Sequence, residues 1–119
     1  MTVKPRSVAI VDDDDAFLDA TTSFLQSLGY KTHSYASAEA FLESAPQDEI
    51  SHLLTDVIMP GMSGLELQAI IRVRHPTMHI IVMTALGDET VRRRAMAGGA
   101  ACLLRKPILA EALIRCLGE

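Results

Sequence analysis

The chain has 119 residues, 49% of them hydrophobic and 22% charged, which is globular composition with length for one buried core and too little for two. A formal charge of −4 speaks against general affinity for nucleic acid. No apolar stretch approaches the roughly 20 residues that span a bilayer, and Met1 to Arg6 lacks the apolar core of a signal peptide, so one cytoplasmic domain over residues 1–119, binding neither nucleic acid nor membrane directly, is expected.

Strand and helix signals alternate five times along the chain. Ser7 to Val11 is an apolar run that predicts a buried strand. Asp15 to Leu28 places Phe17, Ala20, Phe24 and Leu28 on one helical face, and Gly29 supplies the stop. Lys31 to Tyr35 reads as a second strand. Ser37 is a helix cap for residues up to about Ser44, with Glu39 favoured in the first turn by the helix dipole, and Ala45 to Asp48 is a loop. His52 to Asp56 is the third strand. Met59-Pro60-Gly61-Met62-Ser63-Gly64 is rich in breakers and predicts a shaped loop, after which Leu67, Ile70 and Ile71 mark a helix ending near His75-Pro76. His79 to Thr84 is the fourth strand. Asp88 and Glu89 open a helix with Val91 and Ala95 facing inward and Gly98-Gly99 at its end. Ala101 to Arg105 is the fifth strand, and Pro107 starts a last helix with Leu109, Leu113, Cys116 and Leu117 on one stripe. Such alternation implies an α/β fold, a parallel sheet covered on both faces in a three-layer sandwich.

Four of the apolar runs end on residues suited to a phosphoryl group: Asp12-Asp13, Asp56, Thr84 and Lys106. At the carboxyl edge of one parallel sheet these would share a site. The carboxylates Asp12 to Asp15 cannot crowd together unaided, since unit charges about 4 Å apart repel by roughly 4 kcal/mol at an effective dielectric near 20. Asp14 and Asp15 are better read as caps of the first helix. Asp12, Asp13 and Asp56 would form an oxygen-lined pocket for a hard divalent cation, most simply Mg²⁺. With that charge offset, Asp56 could attack a phosphoryl donor in line while Lys106 and the Thr84 hydroxyl each take a phosphoryl oxygen.

The runs Val11-Asp12-Asp13-Asp14, Thr55-Asp56-Val57-Ile58-Met59-Pro60-Gly61-Met62-Ser63-Gly64, Met83-Thr84-Ala85 and Arg105-Lys106-Pro107 together resemble a response-regulator receiver domain of bacterial two-component signalling. The resemblance spans essentially the whole chain. It implies that Asp56 is phosphorylated by a partner histidine kinase, and that Asp13, Asp56 and the backbone carbonyl of Ile58 bind Mg²⁺ while Asp12 acts mainly through water. It implies a flavodoxin-like, five-stranded sheet in the order 2-1-3-4-5 with five helices, and a cis peptide bond between Lys106 and Pro107. It also implies an output face on the fourth helix, fifth strand and fifth helix, through which a phosphorylation-dependent homodimer or an effector domain would form. Slow self-dephosphorylation is then the only turnover expected.

Leu103 stands where this family commonly carries Phe or Tyr, so switching by rotation of a ring is not available, and repacking of Leu103 with the fourth helix is expected instead. Ile58 and Leu86 are apolar at positions that in the family it resembles influence how water reaches the phosphate, which predicts a persistent phosphorylated state. A haloacid-dehalogenase-type phosphatase uses similar groups in a DxDx[TV] arrangement, but Ala16 stands at its last position, and starting from Asp13 puts Phe17 there. A flavodoxin-like flavin protein would meet four carboxylates where phosphate must be cradled. An interaction module that responds without phosphorylation is a third alternative, made less favourable by Asp13, Asp56, Thr84 and Lys106. Cys102 and Cys116 show neither metal-ligand spacing nor a disulfide framework and read as small core residues. His33, His52, His75 and His79 read as solvated or strand-end residues, and Arg92 to Arg94 as a solvated helix face.

Overall fold

The computed structural model describes residues 6–85 and 89–118. Its strands are β1 (Ser7–Val11), β2 (Lys31–Tyr35), β3 (His52–Asp56), β4 (His79–Thr84) and β5 (Cys102–Arg105), and its helices are α1 (Asp15–Ser27), α2 (Ala38–Ser44), α3 (Gly64–Arg74), α4 (Glu89–Ala97) and α5 (Ala110–Cys116). The strands form one parallel sheet in the order β2-β1-β3-β4-β5. The architecture is therefore the expected flavodoxin-like sandwich with helices on both faces.

The continuous apolar runs follow from that double cover, because successive residues of a strand point to opposite faces. Ala9, Val11, Leu53, Ile80 and Val82 pack with Phe41, Leu67, Ile71 and Ala95 on the face of α2, α3 and α4. Val8, Ile10, Leu54, Ile81 and Met83 pack with Leu18, Leu25, Leu113 and Leu117 on the face of α1 and α5.

Local signals set most helix ends. Asp14 caps α1 by accepting from the Phe17 N–H at 3.2 Å, and Ser37 caps α2 by accepting from Ala40 at 3.1 Å. The α1 terminus is closed by Gly29 at φ 93°, with the Tyr30 N–H reaching back to the Leu25 carbonyl at 3.1 Å. Ser63 and Glu66 form a reciprocal capping box at the start of α3.

Several expectations are corrected. The fully buried residues of α1 are Leu18, Thr21 and Leu25; of the expected face, Phe17 and Phe24 pack against the same cluster while partly exposed, and Ala20 and Leu28 are exposed. Phe17, Ala20 and Phe24 also line a groove of about 670 Å³ beside Pro107, Ile108 and Leu113. Thr21, a polar residue, carries no sequence signal of burial. The last helix begins at Ala110 and not at Pro107: Lys106 and Pro107 lie in a bend, and Leu109, the residue before the helix, is still extended. β5 begins one residue later than expected, at Cys102, and the loop before β3 contains a short 3-10 turn at Gln47–Glu49. Cys102 and Cys116 are joined in a disulfide rather than standing as separate core residues. Their partnership depends on α5 folding back over β5, which spacing alone does not reveal. The expected helix-opening role of Asp88 and the position of Leu86 lie outside the described residues.

Candidate functional site

Adjacent β1 and β3 pair with Val11 opposite Thr55, so the next residue of each strand, Asp12 and Asp56, emerges side by side at the carboxyl edge. Order reversal at these two strands opens the crevice in which such folds place their sites. Carboxylate oxygens of Asp12, Asp13 and Asp56 all lie within 4.8 Å of one another. Asp12 is fully buried, Asp56 is 9% exposed and Asp13 faces solvent. Hard oxygen donors from two strand ends, open on one side, suit a small divalent cation that keeps part of its water.

Thr84 ends β4 and is buried, and its carbonyl accepts the Lys106 backbone N–H at 2.8 Å, which ties the end of β5 to the same edge. The Lys106 ammonium then reaches across the edge to Asp12 Oδ2 at 2.5 Å and to Asp56 Oδ2 at 3.5 Å. Its Nζ also lies 4.3 Å from the centroid of the Phe17 ring. The peptide bond between Lys106 and Pro107 is cis, as the resemblance implied. Ile58, two residues beyond Asp56, presents an exposed side chain at the rim.

The loop after β3 is held by backbone bonds: the Val57 N–H donates to the Met83 carbonyl at 3.0 Å and the Gly64 N–H to the Val57 carbonyl at 2.9 Å. Val57 N–H also lies 3.0 Å from Asp56 Oδ1. A Cβ at position 64 would overlap the Asp56 carbonyl, so glycine is what permits α3 to start against the strand end. Met62 N–H donates to Glu39 Oε2 at 3.0 Å, and that bond holds the Glu39 carboxyl below its ordinary pKa.

Burial, together with the charge of Asp12, raises the pKa of Asp56 above the ordinary carboxylate value, against the opposing pull of Lys106 and the Val57 N–H. Burial depresses the Lys106 ammonium, but its bond to Asp12 and the charges of Asp56 and Asp12 outweigh that, and its pKa is raised. Part of the positive charge that the acidic cluster requires is therefore supplied by the chain itself. The contacts of Glu39 with Met62, of Lys106 with Phe17, and of Gln68 Nε2 with the Ala95 carbonyl at 2.8 Å were not anticipated. Each joins residues from separate elements, and none has a local sequence signal.

The histidines stand apart from this edge. His52 and His79 open β3 and β4 and stack with ring centroids 5.2 Å apart, while His75 Nε2 lies 3.1 Å from Gln47 Oε1. Arg92 and Arg93 pair with Glu89 on the exposed side of α4.

A family profile described as the response regulator receiver domain matches residues 8–117. The chain is 40% identical over 107 residues to the transcriptional regulatory protein FixJ of Azorhizobium caulinodans, an alignment covering 90% of this chain and 51% of that protein. It is 38% identical over 107 residues to the response regulator protein FleR of Pseudomonas aeruginosa, covering 90% and 23% respectively. It thus spans about half, or less, of the length of these relatives. Among solved structures it matches the chemotaxis protein CheY4 of Vibrio cholerae with a TM-score of 0.88 and 26% identity, covering 96% of this chain and 97% of that one. It matches the response regulator StyR with a TM-score of 0.86 and 34% identity, covering 98% and 58%. The chain belongs to the response-regulator receiver domain family of two-component signalling, whose members act as phosphoacceptors with limited intrinsic self-dephosphorylation.

Proposed function

We propose that residues 1–119 form one cytoplasmic receiver module that accepts a phosphoryl group on Asp56 from a sensor histidine kinase and then changes its interaction face. The observation that carries this reading is the convergence of the Asp12, Asp13 and Asp56 carboxylates within 4.8 Å, with the Lys106 ammonium 3.5 Å from Asp56. An Asp56 oxygen attacks phosphorus as the bond to the donor imidazole breaks, leaving an aspartyl phosphate and a histidine that regains its proton from water. Lys106 neutralises one phosphoryl oxygen, and the Thr84 hydroxyl donates to another.

Asp13, Asp56 and the Ile58 carbonyl would hold Mg²⁺, with Asp12 contributing through water and through its bond to Lys106. Bound there, Mg²⁺ supplies charge neutralisation for the approach of an anionic donor to an anionic acceptor. Movement of Thr84 toward the phosphate is relayed by repacking of Leu103, which lies against the cluster that includes Val91 and Ala95 of α4. The face of α4, β5 and α5 then serves a homodimer or an effector domain. Membership of the receiver family sets aside the phosphatase and flavin alternatives.

The test is incubation of the chain with acetyl phosphate, with and without Mg²⁺, followed by intact mass and peptide mapping. One phosphoryl group on Asp56, gained only with Mg²⁺, is expected. No gain, or an undiminished gain in Asp56→Ala, overturns the assignment.

A further inference from the structure

Cys102 is the first residue of β5 and Cys116 the last of α5, and the bridge between them sets their Cα atoms 5.9 Å apart. That separation falls within the usual reach of a disulfide. The bridge closes a segment that contains Lys106, so both ends of the stretch delivering the site's ammonium are covalently fixed to each other. α5 has seven residues and no side-chain cap at Leu109, and a helix of that length is held by its tertiary contacts rather than by its own hydrogen bonds. On its inward side those contacts include Ala112, Leu113, Leu117 and the cystine itself.

We propose that Cys102 and Cys116 are a reversible thiol–disulfide couple that sets how firmly α5 is held on β5, a redox input to the output face separate from phosphorylation. Both cysteines are only partly buried, so the bridge is within reach of small thiols. Cys116 also lines a cavity of about 490 Å³ at the amino end of the sheet, shared with Arg6, His52 and His79. Disulfides in a reducing cytoplasm are characteristically transient and sensing, so a partly exposed bridge on a surface helix is placed to open and close rather than to serve as a permanent staple.

The chemistry is exchange with a low-molecular-weight disulfide such as oxidised glutathione. The Cys116 thiolate attacks one sulfur of the oxidant and expels a first thiolate, giving a mixed disulfide. The Cys102 thiolate then attacks Cys116 Sγ and expels the second. Two protein thiols lose two electrons and two protons, and the small disulfide becomes two small thiols. Reduction runs the same steps backwards. Once the bridge is open, Leu117 keeps its carbonyl bond from His52 Nε2 at 3.2 Å, so the end of α5 is loosened rather than released.

The test uses the full unphosphorylated chain equilibrated in mixtures of oxidised and reduced glutathione, with thiol alkylation and mass spectrometry reading the bridge and hydrogen exchange reading α5. A reversible titration is expected, with exchange of the α5 amides slowed roughly tenfold or more in the oxidised form. Cys102→Ser/Cys116→Ser should exchange like the reduced chain in every mixture. Two thiols that stay open to alkylation in oxidised glutathione, a bridge that excess reduced glutathione does not open in the folded chain, or equal α5 exchange in both forms would each overturn the proposal. The titration of the unsubstituted chain decides the matter even where the double variant folds poorly. No phosphoryl donor is present, so the outcome is independent of whether Asp56 is the acceptor.

Discussion

Replacing Lys106 with Met keeps the length of the side chain and removes its charge. The ammonium stands 2.5 Å from Asp12 Oδ2 and 3.5 Å from Asp56 Oδ2, with the lysine side chain 20% exposed and that of Asp12 at 0%. At an effective dielectric near 20, those separations correspond to attractions of about 7 and about 5 kcal/mol before desolvation is counted. Taking the ammonium out of water offsets much of this, and truncating one partner of a buried pair costs about 3–5 kcal/mol net. The lower end applies, because Lys106 remains partly in water and Asp12 Oδ1 keeps its bond from the Asp14 N–H at 3.0 Å. Lys106→Met should therefore lose about 3 kcal/mol in chelator, which for a domain of this size lowers Tm by about 10–15 °C. Mg²⁺ should restore more stability to the variant than it adds to the unsubstituted chain, since the cation and the lysine answer the same excess of negative charge. Thermal melts followed by circular dichroism, with EDTA and with Mg²⁺, measure both quantities. A loss under about 1 kcal/mol, as for an exposed ion pair, together with equal Mg²⁺ shifts would refute the electrostatic reasoning.

Asp56 has a folded pKa raised above its ordinary value of 3.8, so the fold retains that proton more tightly than the unfolded chain does. Its stabilising contribution is present below the ordinary carboxylate value and is lost as pH rises through the raised one; in chelator at pH 7, Asp56→Asn should melt a few degrees higher than the unsubstituted chain, with the advantage shrinking on acidification, and an equal or lower Tm at neutral pH contradicts this. Gly64→Ala forces a Cβ onto the Asp56 carbonyl and should cost about 2–3 kcal/mol in denaturant unfolding, an unchanged midpoint being the contrary result. Ile58→Asn places a group able to orient water at an exposed rim position and should shorten the lifetime of the phosphorylated state severalfold, whereas an unaltered lifetime argues against the persistence expected from Ile58.

The elements most legible in the sequence are those whose environment is uniform. Val8 to Val11 and Ile80 to Met83 read as buried strands because both faces of the sheet are covered, and the structure sends alternate residues of each run to opposite clusters. Ser37, Asp14 and Gly29 mark helix ends because capping is a local affair of a few residues. The gathering of Asp12 and Asp56 was legible through the strand order that the resemblance implied, since neighbouring parallel strands bring equivalent ends together. The facing of α1 was legible in part: Phe17 and Phe24 pack against the core cluster but also border a groove, while Leu18 and Leu25 are the apolar residues of the helix that are fully buried. The disulfide was hidden for a different reason. Its partners belong to two elements whose return path is set by tertiary packing, and nothing periodic links positions 102 and 116. The bond of Lys106 to Asp12, across 94 positions of sequence, likewise needed the closed sheet edge to become visible.

The proposed phosphoryl transfer requires that Asp12, Asp13 and Asp56 meet around one divalent cation beside Lys106 and Thr84. Paramagnetic broadening of backbone amide signals by substoichiometric Mn²⁺, with Mg²⁺ in competition, measures that meeting directly. Broadening centred on residues 12–14 and 56–58, fading through 84 and 106 and reversed by Mg²⁺, is the predicted result. Broadening centred instead on another acidic stretch, such as Asp48 and Glu49, with the amides around Asp56 left sharp, would contradict it.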